Sequence, residues 1–203
     1  MGALTPLVKV AGRKRIWIAA VALYTLTGLA VSTAVGTGLG ELGHLLGLGG
    51  GPHVVPVVCL GVAVVLAARE LGILRFPLLE RPLQTEKIWM HEFGPLGAAT
   101  LWGLHLGLGF FTWINYGGFW VLTLLALGLG EARYGALLMG GHWLGKTLSV
   151  WVAPIALRDP GDGGELLGAW GSRTSLYRRL QAVGLAATAI VVGVWLVAPA
   201  GGL

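Results

Sequence analysis

Residues Ile16–Gly38 read IWIAAVALYTLTGLAVSTAVGTG, 23 residues without a charged side chain. About 20 apolar residues in a helix suffice to cross the hydrocarbon core of a bilayer. Val54–Leu74, Phe93–Trp113 and Leu180–Val197 also carry almost no charge, and a fifth region, Phe119–Leu157, is apolar over nearly two such lengths. Backbone polar groups in lipid find partners only within helices or closed barrels. The expected fold is therefore all-α, a polytopic transmembrane helical bundle forming a single membrane domain over residues 1–203. Ile16–Gly38 is longer than the apolar core of a cleaved signal peptide and is expected to stay as the first span.

Composition agrees with this reading. Charged residues make up 11% of the chain, against about 25% in soluble domains. The 35 glycines suit membrane helices, where small residues let backbones approach. The formal charge of +5 comes from basic residues gathered at the ends of apolar stretches, where they face lipid headgroups. The expected partner is thus the lipid bilayer and not nucleic acid. A single cysteine, Cys59, lies inside an apolar run. It forms no internal disulfide and belongs to no CxxC pair.

Lys and Arg collect in cytoplasmic loops. Lys9, Arg13, Lys14 and Arg15 precede the first span, Arg75, Arg81 and Lys87 follow the second, and Arg158, Arg173, Arg178 and Arg179 flank the last loop. Leu39–His53 and Ile114–Gly118 have no Lys or Arg. Placing 11 of the 14 basic residues inside requires five spans, with Phe119–Gly130 as a half-span that does not cross. The alternative is six short spans turning at Glu131–Tyr134. The expected location is a bacterial cytoplasmic membrane with the N-terminus in the cytoplasm.

An internal duplication is suggested by order and spacing. Thr25-Leu-Thr-Gly-Leu29 recurs as Thr100-Leu-Trp-Gly-Leu104, Ile16-Trp17 as Ile88-Trp89, and Arg69 and Lys146 each stand eight residues before a proline, Pro77 and Pro154. The implied repeat units are 16–77 and 88–157, with a final span at 180–197. Duplicated halves are common in transporters, which bind solute where the halves meet.

Several motifs have residue types that could carry chemistry. Gly140-Gly-His-Trp-Leu-Gly-Lys-Thr147 matches the phosphate-loop pattern. That chemistry needs a strand before the loop and a helix after it, and here the match lies inside an apolar helical stretch. His91-Glu92 lacks the second histidine of a zinc-protease helix, and Glu41-Leu-Gly-His44 has metal-compatible spacing without a third ligand nearby in sequence. No metal site and no catalytic constellation is expected. His105 and His142 would ligate one haem if their helices faced each other, with Trp102 as a flat wall and Gly109 giving room. Otherwise no cofactor is expected.

Gly51-Pro52-His53-Val54-Val55-Pro56 resembles the Pro-Cys-Val-Leu-Pro box of the DsbD and cytochrome c biogenesis type of membrane family. The resemblance covers only these residues. It implies a scaffold of duplicated helical halves. His53 stands where the family has its cysteine, so the family's electron transfer through paired cysteines does not carry over.

Ionisable groups at membrane depth are costly and mark functional positions. Arg69, His105, His142 and Lys146 are the expected substrate-binding residues. His142 and Lys146 are four apart and share a helical face. Gly103 and Gly107, flanking His105, form a small-xxx-small pair expected to pack closely on a neighbouring helix. Two cations and two histidines suit a small anion or a proton-coupled solute. The expected function is a small transporter-like membrane protein with a polar site between duplicated halves. The alternative is a non-catalytic subunit packed against other membrane proteins, holding a haem or pigment.

Overall fold

The computed structural model describes residues 14–50, 54–77, 88–109, 117–156 and 174–197. Among these the chain is helical, without a strand. The helices are α1 (Lys14–Leu45), a 3-10 turn (Leu48–Gly50), α2 (Val54–Glu70), α3 (Trp89–Glu92), α4 (Gly94–Gly107), α5 (Gly118–Gly128), α6 (Ala132–Ala156) and α7 (Thr174–Val197). Each apolar stretch of the sequence thus contains a helix, and the all-α expectation holds. Gly51–His53 of the proline-rich box lie outside the described residues, and Val54–Pro56 open α2. The Arg158–Arg173 loop also lies outside them.

Helix lengths bear on crossing. At 1.5 Å per residue, α5 is about 16 Å long, short of the roughly 30 Å core of a bilayer. It covers Gly118–Gly128, within the expected half-span Phe119–Gly130 but for one residue at its start. α1, with 32 residues, is the one helix among the described residues that is both long and apolar enough to cross a membrane. The number of spans therefore stays with the proposal below.

Local sequence sets the breaks. α2 ends in a Schellman turn, with Gly72 at φ +79°, Gly72 N–H donating to Arg69 O at 2.9 Å and Ile73 N–H to Ala68 O at 2.9 Å. Only glycine takes that conformation without strain. Between α5 and α6 the chain turns at Gly130, φ +61°, where a Cβ would lie 2.9 Å from the Gly49 backbone. Pro95 sits in the first turn of α4, where its missing N–H costs nothing.

The chain divides into two compact units, the first of Met1–Val35, Glu80–Trp113 and Gly140–Thr174, the second of Gly36–Leu79, Ile114–Met139 and Ser175–Leu203. This division by contacts does not follow the expected repeat boundaries 16–77 and 88–157, whose support remains the sequence pattern.

In the first unit, Trp17, Ala20, Val21, Tyr24, Ala98, Ala99, Trp102, Trp143 and Val150 form the core. α1 and α4 meet through glycine. A Cβ on Gly107 would lie 2.7 Å from Gly28 O, and one on Gly103 would collide with Thr27 Oγ1. The expected close packing of Gly103 and Gly107 is thus present, and the neighbour is α1. Thr27 Oγ1 also reaches Thr100 O at 3.3 Å, so the two Thr–Gly pentads pack on each other. Gly28 makes room for the Trp143 ring. Trp143 Nε1 donates to Thr25 O at 2.9 Å, and Trp151 Nε1 to Thr25 Oγ1 at 3.0 Å.

In the second unit, Ala63, Leu66, Val121, Leu185 and Ala189 form the core. Here too backbones touch. A Cβ on Gly36 would meet the Gly135 carbonyl, one on Gly40 the Glu131 carbonyl, and one on Gly43 the Leu127 carbonyl.

The outward faces are apolar. Leu26, Val57, Val58, Val64, Val65, Leu137, Leu144, Leu148, Val183 and Ile190 are exposed, while the buried set is rich in alanine and tryptophan.

Candidate functional site

The four sequence-derived residues fall into two settings. His105, His142 and Lys146 belong to the first unit, and Arg69 to the second. His105, half-buried on α4, sets its ring edge-on to Trp89, centroids 5.9 Å apart at 78°. His142 is half-buried on α6, and Lys146, one turn on, is exposed. The Lys146 ammonium stands 5.4 Å from the Trp143 ring centroid, within range of a cation–π attraction. Lys146 forms no ion pair among the described residues. The tempting phosphate-loop stretch, Gly140–Thr147, is helix throughout, so it offers no loop of amides to a phosphate.

Arg69 is held otherwise. Its Nη1 donates to Glu70 Oε1 at 2.9 Å and its Nε to Phe76 O at 3.0 Å. Its guanidinium also lies 5.8 Å from the Phe76 ring centroid. The Schellman turn makes this possible, because it folds the chain back so that Phe76 O faces the end of α2. Glu70 is the more buried partner. Its side chain is 0% exposed, against 14% for Arg69. Glu70 Oε1 accepts a second bond, from Gly117 N–H at 3.3 Å, at the start of α5. The carboxylate thus sits where a helix N-terminus favours negative charge. Glu70 Oε2 is buried and has no hydrogen-bond partner among the described residues. Arg69 and Lys146, matched in the proposed repeat, therefore have unlike surroundings.

Glu70 is not among the site residues expected from the sequence. The signal was an Arg-Glu pair closing an apolar run, but side chains at i and i+1 do not face each other on a helix. The turn after Glu70 adds Phe76 O as a second acceptor for Arg69.

A shallow cleft of about 380 Å³ in the second unit is lined by Glu41, His44, Gly130, Glu131, Ala132 and Arg133. Glu41 and His44 therefore share their surroundings with Glu131, which sequence spacing did not reveal. Glu131 is paired with Arg133, Nε to Oε2 at 2.6 Å. No three His, Cys, Asp or Glu side chains among the described residues are grouped to hold a metal ion.

No family model, no curated protein and no solved structure matches this chain.

Proposed function

We propose that this chain is a small integral membrane protein of transporter-like type, with five spans and a half-span, its N-terminus in the cytoplasm, and intramembrane polar groups that handle a small anion or a proton-coupled solute. The observation that carries this reading is the inversion of the surface. Large aliphatic side chains point outward from α1, α2, α6 and α7, while the Arg69–Glu70 pair is turned inward. In water that arrangement exposes apolar area and desolvates an ion pair, which is costly on both counts. In a bilayer the apolar faces meet lipid, and the buried pair keeps its charges off the hydrocarbon. Arg69, His105, His142 and Lys146 are the groups proposed to serve the solute. Dye-loaded vesicles reconstituted with the purified protein, under an imposed pH gradient, test this with chloride, nitrate, acetate and phosphate. At least one anion is expected to collapse the gradient faster than in protein-free vesicles. Equal rates for all four would refute the reading.

One observation favours the second reading, a subunit of a larger membrane assembly. Gly141 and Gly145 on α6 have nothing within 4 Å of where a Cβ would stand, and the exposed Lys146 lies beside them. A neighbouring helix with a carboxylate at that depth would pair with Lys146 and fill the open face. On this reading Gly145→Leu would lower the native mass of gently solubilised protein, and on the transporter reading the mass would not change.

A further inference from the structure

We infer that Glu70 is a ligand-binding residue, and that its ligand is a small uncharged solute giving an O–H or N–H hydrogen bond to Oε2. Three observations meet at this carboxylate. Its side chain is fully buried. Oε1 is saturated by two donors, Arg69 Nη1 and Gly117 N–H. Oε2 is buried and has no donor among the described residues. A buried acceptor on a charged group left without a donor carries a desolvation cost that native structures rarely leave uncompensated. The asymmetry is therefore informative: among the described residues two donors meet one oxygen and none meets the other.

The surroundings define the class of ligand. The site is charge-balanced by Arg69, and α5, which faces it through Gly117, has no charged side chain. A cationic ligand at Oε2 would stand close to the Arg69 guanidinium, and an anionic one would meet the carboxylate. A metal ion would need several oxygen ligands. No three His, Cys, Asp or Glu side chains are grouped for that among the described residues. What remains is a neutral donor. Primary amides and alcohols belong to this class, and so does a weak acid that arrives with its proton. The last case links the site to the proton-coupled reading above, on which the purpose of the site rests.

Acetamide is a suitable probe, with acetate and methylammonium as anionic and cationic controls at neutral pH. Binding is followed by solute-dependent thermal stabilisation of the purified full-length protein in detergent. Acetamide is expected to stabilise it saturably and the two ions are not. Glu70→Gln is the informative variant. Arg69 and Gly117 demand an acceptor at the Oε1 position, so the glutamine carbonyl takes it and its NH₂ replaces Oε2. An acceptor becomes a donor at constant shape. The half-saturating acetamide concentration should rise roughly tenfold, the effect of exchanging a hydrogen bond to a charged acceptor for a neutral one made through the acetamide carbonyl. A circular dichroism spectrum equal to that of the parent protein verifies that the variant is folded, and the three-solute comparison on the unaltered protein stands without it. The inference is overturned if acetamide has no saturable effect, if acetate or methylammonium acts equally well, or if folded Glu70→Gln responds as the parent does. Because binding is read at equilibrium, a protein that binds acetamide yet moves no solute across vesicles contradicts transport and leaves this site standing.

Discussion

At the scale of single residues, Arg69 is clamped to a fully buried Glu70, while Lys146 stands exposed 5.4 Å from the Trp143 ring centroid. Arg69 and Lys146 stand out in any reading of the sequence, since a central Lys costs at least about 2.5 kcal/mol on insertion scales. The sequence does not say that Arg69 is clamped between Glu70 and Phe76 O while Lys146 lies exposed over Trp143. That difference depends on the backbone after each residue: α2 ends just past Arg69, whereas α6 runs ten residues beyond Lys146. Two outcomes follow. Arg69→Ala strips Glu70 of its counter-charge in a fully buried position, so the unfolding free energy in detergent should fall by about 3–5 kcal/mol. A loss of less than about 1 kcal/mol, the value of a surface pair, would mean that Glu70 is wet. Lys146→Met keeps volume and removes charge. If Lys146 serves a solute, expression and melting temperature stay at the parent level while vesicle flux is lost. Flux equal to the parent's would reduce Lys146 to a lipid-facing anchor.

At the scale of elements, α5 and α6 keep within about two residues of the expected bounds, whereas α1 runs to Leu45, seven residues into the expected loop Leu39–His53, and α2 stops at Glu70, four short of Leu74. Gly103 and Gly107 were readable as a contact face, but Gly28 of α1 as the surface they meet was not, since spacing along one helix carries no information about its neighbour. Gly107→Leu would force a branched side chain against Gly28 O, 2.7 Å from where its Cβ would stand. Overpacking of that kind costs about 1–3 kcal/mol. A melting temperature in detergent unchanged by Gly107→Leu would show that α4 does not rest on α1 there. The same logic makes Gly61→Leu a matched control, because nothing lies within 4 Å of a Cβ at that exposed position of α2.

At the scale of the whole molecule, the helical class was legible from composition and run length. The arrangement of helices was not, because Gly/Leu-rich helices are nearly interchangeable in sequence. The proposed repeat illustrates this. Its Thr–Gly pentads meet at one helix crossing, where a Thr and a Gly from each side are what close packing asks for, with or without a duplication. Topology rests on charge alone, and so it is the claim most open to direct test. In a Cys59→Ser background, single cysteines at Gly50, Gln84 and Gly164 are probed in intact cells with a membrane-impermeant thiol reagent. Five spans and a half-span predict labelling of position 50 alone, with 84 and 164 reacting only after permeabilisation. Labelling of position 164 from outside would contradict the account, because α5 and α6 would then both cross the membrane.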